Sequence, residues 1–255
     1  MKIAYIGLDL FYPALKKLHS LGLEIVEIFT CDVDNVCEFN TEITDFAREN
    51  GIRLNASPIN REDIDRLLDK GCDWAICGGY YFKIPHDTWL PIVNIHPSLL
   101  PLGRGSWPMA QSILWKHEKS GVTIHKIAQG FDVGDILLQR EFTLDADETH
   151  SSFMEKANIT LEGMLDELCK DFDSIYQNAI PQGEGEYWKA PTEEDYTVSP
   201  DMTVEEADLI LRAFYGYECV YDDGQTKTTI IGYRAFQGEC DGEYLKIKNG
   251  YLKRP

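Results

Sequence analysis

Asn94 and His96 stand two positions apart at the end of a short apolar run, Trp89-Leu90-Pro91-Ile92-Val93-Asn94-Ile95. On an extended chain, residues two apart point to the same face, so a carboxamide and an imidazole share one side of a strand end. Pro97 and Pro101 follow at once, and their rings would stop the strand and force a loop. An imidazole in such a place can take a proton from a nucleophile or polarise a carbonyl. A carboxamide can donate to a developing oxyanion, a contribution of roughly 3–4 kcal/mol in comparable sites. Asp132 follows His96 by 36 residues, about one crossover unit, which permits a carboxylate to reach the imidazole and stabilise its charged form. Taken alone, the same residues also fit a structural histidine and a turn aspartate beside Gly134. Ser98 lacks the Gly-x-Ser-x-Gly elbow of a serine nucleophile. His96, His125 and Asp132 fit no standard zinc spacing, so no metal site is expected.

The elements that would position these groups alternate. Apolar runs at Lys2–Ile6, Leu23–Thr30, Ile52–Ala56 and Trp74–Cys77 read as strands. Between them Ala14–Leu21, Thr41–Asn50 and Asn60–Leu68 carry helical spacing and capping residues. A helix at Trp107–Lys116, a strand at Gly121–Ile127, a turn at Phe131–Asp135 and a long helix over Thr149–Tyr176 complete this part. The alternation predicts an α/β fold, a mostly parallel sheet with helices on both faces. Crevices at the carboxyl ends of such strands bind ligands. Only Gly7 stands in the first turn, where a dinucleotide fingerprint needs several glycines, so no nicotinamide or flavin cofactor is expected. The Gly78–Pro85 loop holds two glycines and three aromatics and reads either as a core-capping turn or as a pocket wall for a flat heterocycle.

Beyond Pro181 the texture changes. Gln182–Glu186 reads as a polar connector, a short capped helix begins near Ser199, and strand-like pieces follow at Glu218–Tyr221, Lys227–Tyr233 and Tyr244–Ile247. The expected division is residues 1–188 as a catalytic domain and 189–255 as a small, mainly antiparallel domain. The balance of 24 Lys and Arg against 43 Asp and Glu, a net charge of −19, offers no basic stripe for nucleic acid. No apolar run approaches the ~20 residues of a membrane span. Seven scattered cysteines fit reduced thiols in the cytoplasm.

Several blocks in order, Asn94-Ile-His96-Pro-Ser98-Leu-Leu-Pro101, Arg104-Gly105, Gly121-Val-Thr-Ile-His125 and Asp132-Val-Gly-Asp135, together resemble the formyltetrahydrofolate-dependent formyltransferases. The resemblance implies a Rossmann-like catalytic domain followed by a truncated barrel-like one. It implies formyl transfer from 10-formyltetrahydrofolate to a primary amine, with Asn94, His96 and Asp132 as the catalytic trio. Asn94 and a protonated His96 would hold the oxygen, while His96 or a water linked to Asp132 would move the amine proton. The folate walls would be Tyr80, Phe82, Ile84 and Pro85 on one side and Gly130, Phe131 and Asp135 on the other.

Members of this family act on a glycinamide ribonucleotide, on methionyl-tRNA or on nucleotide-linked amino sugars. The Arg104-Gly105-x-x-Pro108 continuation resembles the tRNA and sugar branches. The acidic charge and short C-terminal part favour the sugar branch, whose members often dimerise through that part, so a homodimer is expected. Phe11, Tyr12, Ser98, Arg104, Gly105 and Trp107 are the sugar-pocket candidates, with Arg104 either pairing with a diphosphate or fixing its own loop. A methionyl-tRNA enzyme and a catalytically idle folate or nucleotide-sugar binding module remain the alternatives.

Overall fold

The computed structural model describes residues 1–36, 38–239 and 241–255. Cys37 and Cys240, for which free thiols are expected, lie outside the described residues; Cys31, Cys72, Cys77, Cys169 and Cys219 are free.

A seven-stranded sheet is built from β1 (Lys2–Gly7), β2 (Glu24–Phe29), β3 (Leu54–Asn55), β4 (Trp74–Gly78), β5 (Ile92–His96), β6 (Lys119–Lys126) and β7 (Ile136–Thr143), in the order β3-β2-β1-β4-β5-β6-β7. The first five strands pair in parallel, whereas β5 and β6 run antiparallel. Ile3 to Ile6 and Trp74 to Ile76 are almost wholly inaccessible, which is why these strands are continuous apolar runs. Helices α1 (Tyr12–Ser20), α2 (Thr41–Glu49) and α3 (Arg61–Asp69) alternate with the first strands. The turn after β1 serves α2: the Asp9 carboxylate accepts from the Glu42 and Ile43 amides, each at 3.0 Å, and caps that helix. One charge is buried in β2. Glu27 is 0% exposed, and Arg66 and Lys70 meet its oxygens at 2.6 and 2.9 Å.

Two of these elements differ from the sequence reading. Only Leu54 and Asn55 of the third strand pair, because β3 is the sheet edge. The long helix is two, α5 (His150–Lys170) and α6 (Phe172–Gln177). Asp171 separates them, its side chain capping the second by accepting from Ser174 N at 3.3 Å.

The chain divides into two compact units: residues 1–104, 121–142 and 156–187 form the first, and 105–120, 143–155 and 188–255 the second. The second contains α4 (Pro108–Leu114) and α7 (Val204–Ala213). Thr203 and Glu206 close a reciprocal capping box at the start of α7, four residues later than the Ser199 start expected. Its strands are β8 (Thr197–Val198), β9 (Glu218–Asp222), β10 (Lys227–Ile231), β11 (Arg234–Gln237), β12 (Leu245–Ile247) and β13 (Gly250–Lys253). They form two three-stranded sheets, β10-β9-β8 and β11-β13-β12, antiparallel except for β8 with β9. The run Lys227–Tyr233 is thus one strand and the start of a turn, with a further strand after it. Trp107 lies in an aromatic cluster of this unit, 4.7 Å from the Tyr217 ring and 6.1 Å from both His150 and Phe214. Among the described residues no helix is long and apolar enough to cross a membrane.

Candidate active site

The end of β5 and the turn after β6 carry the reacting groups, and all of them belong to the first unit. Antiparallel pairing sets Asn94 opposite His125 and His96 opposite Thr123. Side chains directly opposite on one face lie within bonding reach. Asn94 Nδ2 is 3.1 Å from His125 Nε2, and His125 Nδ1 is 2.8 Å from the Lys126 carbonyl. A carbonyl can only accept, so Nδ1 carries the hydrogen and Nε2 accepts from the amide. One Asn94 N–H then remains to donate toward the cleft.

His96 is buried, 5% exposed, and its Nε2 donates to the Gly103 carbonyl at 2.7 Å. Its Nδ1 faces Asp132 Oδ1 at 3.5 Å, while the same oxygen lies 3.6 Å from His125 Nε2. Asp132 thus meets both imidazoles, and the spacing from Asn94 and His96 closes in space as expected. Burial pulls the His96 pKa below its ordinary value; Asp132 and the Gly103 carbonyl partly offset this, and His125 adds to the lowering. At neutral pH the resting ring is therefore neutral, with its lone pair on Nδ1. The protonated His96 that the resemblance implies against the oxygen of the intermediate would thus have to gain its proton during the reaction, since burial disfavours the charged ring.

The turn that presents Asp132 is unusual. Asp132 has φ +55°, the left-handed region that a non-glycine residue seldom adopts. Gly134 lets the turn cross the preceding strand, since a Cβ there would collide with the Lys126 carbonyl. Lys126 also holds Asp135, through its amide to the Asp135 carbonyl at 2.9 Å and Nζ to Oδ2 at 3.0 Å.

Beside this turn lies a cleft with about 540 Å³ of open space. Asn94, His125 and Asp132 line it, together with Cys77, Tyr80, Phe82, Lys83, Ile84 and residues Ile127 to Phe131. Its mixed wall of aromatic, aliphatic and polar groups suits a flat heterocycle. Tyr80 and Phe82 pack edge to face, with ring centroids 5.5 Å apart, and Ile84 joins the core behind them. Gly130 and Phe131 lie on the facing wall. Pro85 and Asp135 are not among the lining residues, Asp135 being engaged by Lys126. Among the described residues no group of three or more His, Cys, Asp or Glu is arranged to hold a metal ion.

The substrate candidates fare less well. Phe11 is a core residue, 1% exposed, whose carbonyl accepts from Tyr5 Oη at 2.9 Å. Tyr12 packs edge-on against Phe46, with Lys16 Nζ 4.7 Å from its ring. Ser98 is 2% exposed, and its hydroxyl donates to the Leu102 carbonyl at 2.8 Å, which fixes the loop after His96. Arg104 is 8% exposed and donates to Gln182 Oε1 from Nε and Nη2, at 3.2 and 2.9 Å, and to the Gly183 carbonyl at 3.1 Å. Of the two roles open to this guanidinium, the loop-fixing one is the geometry observed. In the second unit Gly105 abuts the Trp188 carbonyl, which leaves no room for a Cβ, and Trp107 sits in its aromatic cluster. Sequence reasoning missed His125 as the partner of Asn94, and read Gln182, whose amide bonds the Asp132 turn, only as part of a polar connector.

An amide, an imidazole and a carboxylate around one cleft at strand ends can polarise a carbonyl and move a proton, which is what acyl-type group transfer requires. The family described as formyl transferase matches residues 32–164, about half of the chain, and the protein belongs to that family. A methionyl-tRNA formyltransferase from Ehrlichia ruminantium (strain Gardel) is 30% identical over 168 residues, covering 64% of this chain and 55% of the relative. The chain thus spans about half the length of the curated relatives it matches. Among solved structures, HypX from Aquifex aeolicus in complex with tetrahydrofolic acid superposes with a TM-score of 0.74 at 13% identity, over 99% of this chain and 43% of that one. WlaRD, a sugar 3N-formyl transferase in the presence of dTDP and 5-N-formyl-THF, gives 0.68 at 18%, over 99% and 96%.

Proposed function

We propose that this protein is an N-formyltransferase that moves a formyl group from 10-formyltetrahydrofolate to the primary amine of a nucleotide-linked amino sugar in the cytoplasm. The observation that carries the chemistry is that Asn94, His125 and Asp132 line one cleft, with the buried His96 ring directly behind Asp132. When bound, the donor supplies an electrophilic formyl carbon: the amine nitrogen bonds to it, and its bond to the folate nitrogen breaks. Tyr80, Phe82 and Ile84 would hold the flat ring, with backbone groups of Ala128 to Gly130 reading its edges. Asn94 directs its remaining N–H at the oxygen on which negative charge develops. His96 accepts the amine proton at Nδ1, and Asp132 stabilises the resulting imidazolium. The charged ring then returns that proton to the departing nitrogen, so proton and electron pair balance over the cycle.

A small anionic substrate is favoured by the net charge of −19, since a tRNA enzyme gains affinity by neutralising many phosphates. WlaRD, similar over nearly the whole of both chains, supports the same reading. The second reading, formylation of methionyl-tRNA, is favoured by the curated relatives, which carry that name. The test is to incubate the purified protein with 10-formyltetrahydrofolate and, separately, a panel of nucleotide-linked amino sugars and methionyl-tRNA, following tetrahydrofolate release and product mass. Formylation of a sugar is expected. Transfer to methionyl-tRNA alone would establish the second reading, and folate binding without transfer to any amine would leave an idle binding module.

A further inference from the structure

Residues 182–186 read as a polar connector, yet the segment 180–187 around them is tied at several points to both loops that carry the reacting groups. Ile180 bonds with Ile136 in both directions, each at 2.8 Å. Gln182 Nε2 donates to the Asp132 carbonyl at 3.0 Å and to the Gly134 carbonyl at 2.7 Å. Tyr187 Oη donates to the Phe131 carbonyl. The same segment grips the loop after His96. Arg104 N donates to the Glu186 carbonyl at 3.1 Å, and Glu186 N to the Pro101 carbonyl at 3.2 Å. Gly185 packs so tightly there that a Cβ would collide with the Pro101 carbonyl.

Gln182 is the knot of this strap. Its Oε1 receives both hydrogen bonds from Arg104. Arg104 directly follows Gly103, whose carbonyl holds His96 Nε2. Gln182 Nε2 spends both hydrogens on the turn whose middle residue, Asp132, has the left-handed backbone. A carboxamide is the side chain that can accept from a guanidinium at one end and donate twice at the other. Backbone held in a sparsely populated region needs its surroundings to fix it.

We propose that Gln182 is a positioning residue: its amide, held by Arg104, pins the carbonyls of Asp132 and Gly134 and thereby sets the Asp132 carboxylate against the His96 ring. This rests on the formyl-transfer reading for its effect on turnover, but not for its effect on His96 itself. A displacement of about 1 Å at a reacting group can cost on the order of 100-fold in rate.

The experiment compares wild type with Gln182→Met, which keeps side-chain length without the amide, and Gln182→Glu, which keeps an acceptor for Arg104 but loses both donors. The first readout is the His96 ring titration by NMR, assigned by difference against His96→Gln, and it needs no substrate. Losing the Asp132 contact should lower the His96 titration midpoint by about half a unit or more in Gln182→Met. The second readout is steady-state kinetics: kcat is expected to fall about 10-fold or more in both variants, with KM for the folate donor within about twofold of wild type. A role in filling space alone predicts that Gln182→Met titrates and turns over as wild type does, and that result would overturn the proposal. Should Gln182→Met not fold, Tyr187→Phe decides instead, since that ring is 55% exposed and loses only its bond to the Phe131 carbonyl. An unchanged His96 titration in Tyr187→Phe, alongside unchanged kcat, counts against the strap. If wild type formylates no amine, the functional reading fails while the NMR comparison still decides the role of Gln182.

Discussion

Asn94 and His125 are cross-strand partners, and the carboxamide nitrogen of one lies 3.1 Å from the imidazole nitrogen of the other. The orientation of this amide is thus set by a histidine on the neighbouring strand. A hydrogen bond of this kind fixes which end of the amide faces the cleft, much as outer partners orient metal ligands.

His125→Ala should therefore lower kcat by about 10- to 100-fold while leaving the donor KM near wild type. Steady-state kinetics against both substrates would check this. A variant with normal kcat would remove His125 from the orienting role.

The pH profile should reveal the His96–Asp132 pair. In the proposed mechanism the neutral His96 ring would be the base, so kcat/KM should fall on the acid side as that ring takes a proton. Because Asp132 raises a pKa that burial lowers, Asp132→Asn should move this acid limb to lower pH while depressing the plateau. A limb that stays put, or moves up, would sever the proposed link.

Phe82 lines the cleft and is 38% exposed. Removing its ring should weaken donor binding by about 1–2 kcal/mol, roughly a 10-fold rise in the dissociation constant, with little change in kcat. Titration of tetrahydrofolate into Phe82→Ala measures this directly. Unaltered affinity would move the pteridine wall elsewhere.

His150 gives the second unit a sensitivity to acid. It is 4% exposed, its Nε2 has no hydrogen-bond partner among the described residues, and burial pushes its pKa down from 6.5 to about 4. Below pH 6.5 the unfolded chain takes up a proton that the folded one refuses, so stability declines on acidification until both states are protonated below pH 4. The loss is about 2 kcal/mol at pH 5 and approaches about 3 kcal/mol at lower pH. Urea unfolding at pH 7 and pH 5 should show that His150→Leu loses less stability over this interval than wild type. Equal losses in the two proteins would remove His150 as the cause.

Much of this architecture is legible in the sequence because its signals are local. The continuous apolar runs at β1 and β4, and the two-residue spacing of Asn94 and His96 before Pro97, follow directly from chain geometry. What escapes is pairwise and distant. His125 is visible in its motif, but its bond to Asn94 depends on β6 running antiparallel to β5. Gln182 answers to backbone carbonyls 48 and 50 residues earlier, and carbonyls leave no trace in residue type. Phe11 and Ser98 mislead for a related reason: they stand at loop ends near a site, yet one faces the core and the other bonds its own loop. At Asp171, a capping residue in the middle of an apolar stripe was enough to split a helix.

The order in which the chain emerges from the ribosome gives the strap a further meaning. Residue 182 is made 50 residues after the turn it fastens. All seven strands of the sheet are synthesised before the aspartate is secured. If the strap acts as proposed, a nascent chain with a folded sheet would stay inert toward its donor until the fastening segment arrives, and competence would come late in translation rather than gradually.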